Sequence, residues 1–222
     1  MMAPHIIVTA GPTVEPIDPV RFLSNHSSGR QGYALAAALA GRGARVTLVS
    51  GPVSIDPPAG VALVKVQTAR EMRDAVMAAL PADAYIGVAA VADWRPATRH
   101  ASKMKTDKAG FSSLQLVENP DILKEVAGLE SARRPALVVG FAAETAPEPA
   151  ALERLARAKL ASKGCDLIIA NDVSGDAMGG TENSVLIVSH AAARALPRMG
   201  KDEIARELGD SVMALLRAPS RR

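Results

Sequence analysis

"RFLSNHSSGRQGYALAAALAGRG" occupies Arg21–Gly43. Its second half reads as a helix from about Ser28 to Gly41, because Leu35, Leu39 and the alanines around them supply one apolar face. Its first half is a run of small or polar residues, Ser24–Ser28, followed by Gly29 and Arg30. Upstream stands "HIIVT" (His5–Thr9), a short apolar run with the length and composition of a buried strand. A helix that opens this way after a strand suits an anion, since free backbone N–H groups and the helix dipole both point at that spot.

The same alternation continues along the chain. "RVTLVSG" (Arg45–Gly51), "VALVKV" (Val61–Val66), "AYIGVAAV" (Ala84–Val91), "PALVVGFAAE" (Pro135–Glu144) and "CDLIIAND" (Cys165–Asp172) read as strands, and "SVLIVS" (Ser184–Ser189) as a seventh. Between them lie helical patterns. Thr68 caps "AREMRDAVMAAL" and Glu71 completes a capping box. Further helices start at Pro120, span Pro149–Lys163 and close the chain at Lys201–Leu216. Strands apolar throughout and separated by helices predict an α/β fold: one domain over residues 1–222 with a doubly wound, mostly parallel, Rossmann-like sheet and helices on both faces. Ligands of such folds bind beyond the carboxyl ends of the strands. The pattern lapses over 95–112, a polar and basic stretch with the length of an active-site loop, which we expect to be flexible.

Composition narrows the function. The net charge of +3 suits a small anionic ligand and carries no clustered basic stripe of the kind that binds nucleic acid. No run approaches 18 consecutive apolar residues and no charged segment precedes a leader-like apolar one, so neither membrane nor secretion is expected. One cysteine, Cys165, precludes an internal disulfide and fits a reducing cytoplasm; before the run "DLIIA" it reads as buried.

Two classes of function compete. An NAD(P)-dependent oxidoreductase would need G-x-G-x-x-G after the first strand, where Gly11 stands alone, and an acidic residue after the second, which ends in "LVSGP". About eighteen residues also separate the first strand from its helix, where that fingerprint allows two or three. A non-catalytic nucleotide-binding module is a further alternative. Against both stands a set of long motifs: "TAGPTVEPIDPVRFLSNHSSGRQGYALA", "AAVADWRP", "KMK", "ENPDIL", "VGFAAET" and "LIIANDV", in that order between Ile7 and Val173. Together they resemble phosphopantothenoylcysteine synthetase, the ligase half of the bacterial bifunctional coenzyme A biosynthesis protein.

The resemblance implies a ligase that joins 4′-phosphopantothenate to L-cysteine with CTP, through an acyl-cytidylate, releasing CMP and pyrophosphate. Mg2+ is implied by triphosphate chemistry, with no protein ligand identifiable. A homodimer is implied too, through a small strand-rich extension placed at Ile17–Leu23 and Asn171–Val188, as is a fused or separate flavin-dependent decarboxylase. By the same resemblance Asn25 contacts the acyl group and is catalytic, although an Asn before a helix is ordinarily a cap. Arg21 is implied for the substrate phosphate, with a surface salt bridge as the plain alternative, and Ala89 and Ala90 border the substrate. Ser28, Gly29 and Arg30 face phosphate oxygens, where a plain N-cap is the alternative. Lys103, implied as catalytic too, matches the first lysine of a flap motif that covers the nucleotide; the third is replaced by Thr106, and Lys108 is the nearby substitute. Gly87, Val88, Ala89 and Asp93 are implied at the nucleotide, Asp93 as acceptor from an exocyclic amine. Pro120, Asp121, Ile122 and Leu123 are a helix start that doubles as a nucleotide contact. Phe141 lies against the base, and Lys159 and Lys163, one helical turn apart, meet the nucleotide, where a solvated face or a partner of the helix C-terminus is the alternative.

Overall fold

The computed structural model describes residues 2–103, 113–146, 148–172 and 182–218. The first strand, β1 (His5–Ala10), is buried at every position. Two short strands follow, β2 (Val14–Pro16) and β3 (Phe22–Ser24), and then helix α1 (Arg30–Ala40). The chain continues through β4 (Arg45–Ser50), β5 (Val61–Lys65), α2 (Ala69–Ala79), β6 (Ala84–Gly87), β7 (Trp94–Pro96), β8 (Leu116–Glu118), α3 (Ile122–Ala127) and β9 (Leu137–Glu144). It ends with α4 (Pro149–Lys163), β10 (Leu167–Asp172), β11 (Glu182–Ser189), β12 (Ala193–Gly200) and α5 (Lys201–Arg217).

The main sheet has the order β12-β11-β10-β9-β6-β1-β4-β5. Six strands from β5 to β10 are parallel, and β11 and β12 add an antiparallel edge. The chain winds outward from β1 to β5, returns to β6 on the other side of β1 and winds outward again. The order reverses between β1 and β6, so a crevice opens beyond their carboxyl ends.

Strand β1 shows why its sequence is apolar without alternation. Ile6 and Val8 face the layer where Leu35 and Leu39 of α1 meet Ile204 and Leu208 of α5, while Ile7 faces Met72 and Val76 of α2 with Ile168 of β10. Successive side chains point to opposite faces, and both faces are covered.

Several expectations are corrected. β6 ends at Gly87 rather than Val91. Beyond Gly87 the backbone leaves the sheet and knits to the end of β1 and the loop after it: Ala90 N–H donates to Gly11 O at 2.9 Å, Ala89 N–H to Thr9 Oγ1 at 3.2 Å and Ala92 N–H to Thr13 Oγ1 at 2.9 Å. The third helix starts at Ile122, with Asp121 as its cap through Lys124 N–H, rather than at Pro120. The stretch 95–112 opens in a strand, because Arg95 and Pro96 belong to β7, which pairs antiparallel with β8; residues 104–112, with Lys105, Thr106 and Lys108, lie outside the described residues. The proposed extension divides. Residues 17–23 lie in and beside the β2–β3 hairpin, whereas 182–188 are a strand of the main sheet. β12 was not anticipated, since Pro197 and scattered charges hide it; a proline is tolerated there because the strand is an edge.

Candidate functional site

Two cavities adjoin beyond the carboxyl ends of β1, β6 and β9. One, of about 500 Å3, runs from Thr9 and Tyr85 past Gly87 to Asn119–Leu123, and Lys159 and Lys163 close it. The other, of about 380 Å3, runs along Asn25–Gly32 and Val88–Val91 to Asn171, Asn183 and Lys201. They share Ala89, Val91, Asp93, Phe141 and Lys159 as a common wall. Among the expected residues, Gly87, Ala89, Asp93, Pro120, Asp121, Ile122, Leu123, Phe141, Lys159 and Lys163 meet at the first cavity. Asn25, Ser28, Gly29, Arg30, Val88, Ala89 and Ala90 meet at the second. Lys103 is exposed and lines neither, and Arg21 stands apart, its Nε donating to Asp18 Oδ2 at 3.0 Å within its own hairpin.

The start of α1 is built for close approach. Gly29, its N-cap, has φ +76°, a left-handed conformation that a side chain would strain. A Cβ on Gly32 would lie 2.6 Å from Ala10 Cβ, so this glycine lets the first turn press against the end of β1. No side chain caps this terminus and its first turn holds no acid. By contrast α2 carries the full Thr68–Glu71 capping box, and buried Glu15 accepts from Ala69 N–H at 2.9 Å. The first-turn N–H groups of α1 therefore face the second cavity without a side-chain acceptor. Asn25 sits opposite, its Nδ2 donating to Ala90 O at 3.1 Å.

The lysines of α4 are aimed by acids. Lys159 Nζ lies 2.9 Å from Glu144 Oε1 of β9, and Lys163 pairs with Asp121, the cap of α3. Both lysines line the first cavity, where an anionic group would compete with these carboxylates for the same ammonium groups. Asp93 is exposed on the wall common to both cavities, and its carboxylate makes no ion pair among the described residues. Burial pushes the Tyr85 phenol far above its ordinary range, so its hydroxyl stays a neutral donor at the floor of the first cavity.

Asn119, Thr9 and Lys201 are among the lining residues that the sequence reading did not single out. Asn119 ties Asp93 in place: its N–H donates to Asp93 O at 2.8 Å and its Nδ2 to Ala92 O at 2.8 Å. Its position before Pro120 in "ENPDIL" is the signal that pointed to it. Thr9, near the end of β1, and Lys201, opening α5, had no such signal, because their places at the site depend on segments that are distant in sequence.

The DNA/pantothenate metabolism flavoprotein C-terminal domain matches residues 1–216. The chain belongs to this family. It is 45% identical over 223 residues to the coenzyme A biosynthesis bifunctional protein CoaBC of Escherichia coli (strain K12), covering 98% of this chain and 53% of that protein. To the CoaBC of Bacillus subtilis (strain 168) it is 44% identical over 216 residues, covering 95% of this chain and 51% of that protein. The chain thus spans about half the length of these relatives. A crystal structure of a CoaBC C-terminal domain superposes with a TM-score of 0.81 at 36% identity, covering 99% of this chain and 98% of that one. The DNA/pantothenate metabolism flavoprotein of Streptococcus pneumoniae shares the fold, with a TM-score of 0.82 at 23% identity over 96% of this chain and 99% of that one. A Cab2 mutant in complex with phosphopantothenate-cysteine shares it at 0.71 and 17%, over 95% and 88%. The parallel part of the sheet has the strand order of dinucleotide-binding proteins, yet residues 11–29, which include the β2–β3 hairpin, stand where those proteins place a tight glycine turn.

Proposed function

We propose that this chain is a phosphopantothenate–cysteine ligase of coenzyme A biosynthesis, with CTP as activating nucleotide. One observation carries the reading: two cavities meet at a shared wall, one flanked by Lys159 and Lys163, the other by the uncapped start of α1 and by Asn25. The relatives' membership of the pathway and the neighbour solved with phosphopantothenate-cysteine support it.

In the first step an oxygen of the phosphopantothenate carboxylate attacks the α-phosphorus of CTP. The bond to the β-phosphate oxygen breaks, pyrophosphate leaves, and an acyl-cytidylate forms. In the second step the amine of L-cysteine attacks the acyl carbon, the bond to the CMP oxygen breaks, and the amine gives up its proton to solvent or phosphate. Both steps need positioning and cations more than a strong base. The nucleotide lies in the first cavity, with Phe141 against its base and Lys159 and Lys163 at its phosphates. Asp93 accepts from the exocyclic amine of cytosine. Asn25 donates its amide to the acyl oxygen as negative charge develops there, and Ser28, Gly29 and Arg30 present donors to phosphate oxygens. Lys103 reaches the nucleotide from the loop that follows β7. Among the described residues no three His, Cys, Asp or Glu side chains are grouped to hold a metal, so Mg2+ would arrive with the triphosphate and be held mainly by its oxygens and water.

We also place a second copy of the chain against the two hairpins. β2 packs against β7, and His100 N–H donates to Ile17 O at 2.9 Å, so the hairpins form one surface. That surface exposes Val20, Phe22, Trp94, Leu116 and Val117, an apolar patch of the kind that seeks a partner. Arg21, beside Phe22, would reach across it to a substrate phosphate. No described helix is long and apolar enough to cross a membrane, and the reading places the enzyme in the cytoplasm.

The deciding experiment supplies phosphopantothenate, cysteine and each nucleoside triphosphate in turn and measures pyrophosphate. Release is expected with CTP and dependent on phosphopantothenate. Equal turnover with ATP removes the CTP assignment, and no release with any triphosphate removes the ligase reading. Asp93→Ala should raise KM for CTP and flatten the CTP-to-UTP ratio, since one hydrogen bond to a charged group is worth about 1.5–3 kcal/mol.

A further inference from the structure

A third cavity, of about 840 Å3, lies behind the start of α1. It is bounded by Arg30 and Tyr33 of α1, by the connection from Ser54 to Pro58, and by the first turn of α5. Arg30 and Lys201 line both this cavity and the smaller one that holds Asn25. They form the strip along which the two spaces meet. Gln31 links the two elements: its Nε2 donates to the carbonyl of Lys201 at 3.5 Å, between the first turns of α1 and α5.

Among the described residues neither Arg30 nor Lys201 makes an ion pair, although nine such pairs form elsewhere. Asp56, Asp202 and Glu203 line the third cavity with them, Glu203 accepting from Gly200 N–H at 3.1 Å, whereas on the Asn25 side Asp93 is the one acid among the described lining residues. Lys201 is half-buried, and both burial and the charge of Arg30 hold its ammonium below the ordinary lysine range. Two neighbouring like charges with no ion-paired carboxylate among the described residues repel each other, and a polyanion between them on the Asn25 side removes that penalty.

We propose that Arg30 and Lys201 together form a phosphate-binding clamp at the far end of the Asn25 cavity, and that Lys201 is a substrate-binding residue of this protein. The group bound is a phosphate monoester or polyphosphate. Resting on the ligase reading, it has two sources: the terminal phosphates of the nucleotide, or the phosphate of phosphopantothenate.

The test compares the wild type with Lys201→Gln and Lys201→Arg. Calorimetric titration with inorganic pyrophosphate and with inorganic phosphate needs no turnover. Lys201→Gln should bind the preferred probe about tenfold more weakly, and Lys201→Arg should restore most of the affinity. Wild-type affinity in Lys201→Gln, or no binding of either probe by the wild type, overturns the clamp whether or not ligation is observed. Steady-state kinetics then separate the sources. A rise in KM for CTP assigns the clamp to the nucleotide. A rise in KM for phosphopantothenate that is absent with pantothenate assigns it to the substrate phosphate. Unchanged KM for both overturns the assignment of Lys201 to substrate. Failure of ligation in the wild type with the probe difference intact removes the ligase reading and leaves the clamp.

Discussion

Asn25 donates its amide to the carbonyl of Ala90, 65 residues further along the chain, and so holds its side chain over the meeting place of the β1 and β6 loops. Replacing it with Asp keeps the size but removes the donor and sets a negative charge beside the acyl phosphate. We expect Asn25→Asp to consume CTP and accumulate acyl-cytidylate, seen by mass spectrometry of the bound product with and without cysteine. Normal turnover would take Asn25 off the catalytic roster. Cys165 makes a prediction of the opposite kind. It is fully buried, and burial pushes its thiol up to about 11. An unfolded cysteine ionises near 8.5, so this stabilising effect is complete below that pH and is lost as pH rises towards 11. Between pH 8.5 and 10.5 the wild type should lose on the order of 1–2 kcal/mol more unfolding free energy than Cys165→Ala, measured by denaturant titration. Equal losses would show that the thiol ionises freely in the fold. Many of the residues that line the two cavities could be named from the sequence because its motifs are long. Their pairings could not: Lys163 and Asp121 each looked like a solvated charge or a cap until the fold set them against each other.

Helix α1 is the element on which the site depends. Its apolar face was plain in the spacing of Leu35 and Leu39, and both are buried. Its start was harder to foresee, because a glycine at 32 reads equally as a weak point in a helix or as a close contact. The structure decides for contact, with Ala10 against it. Gly32→Ala should therefore destabilise the protein by about 1–3 kcal/mol through overpacking and weaken nucleotide binding by lifting the first turn. Chemical denaturation and nucleotide titration of the same variant check both parts; unchanged stability would mean that the turn shifts without strain. Helix α4 matched its expected bounds, Pro149–Lys163, since a proline at the start and Gly164 in a left-handed conformation at the end are local signals. β6 was overextended for a reason of the opposite kind. "GVAAV" is as apolar as a strand, but its N–H groups are claimed by the loop after β1.

At the scale of the whole molecule, the exposed hairpin surface makes a prediction about assembly. Val20 and Phe22 are 59% and 58% exposed. Sedimentation should give a dimer for the wild type and a monomer for the paired substitution Val20→Glu and Phe22→Glu, with the far-UV spectrum unchanged. A monomeric wild type at tens of micromolar would remove the hairpins as an interface.

What the sequence by itself determined is what short stretches of chain decide. Continuous apolar runs marked the parallel strands of β1, β4, β5, β9 and β10, period-3.6 patterns and caps marked the helices, and small polar residues before Arg30 marked an anion-suited helix start. These depend on the nearest few residues, so they survive in one dimension. Tertiary structure alone decided the rest. The antiparallel edge of β11 and β12, the end of β6 at Gly87, the Lys163–Asp121 pair and the meeting of Arg30 with Lys201 all join segments far apart in sequence. Their energies come from burial and from charges brought together in space, and neither exists until the sheet has formed.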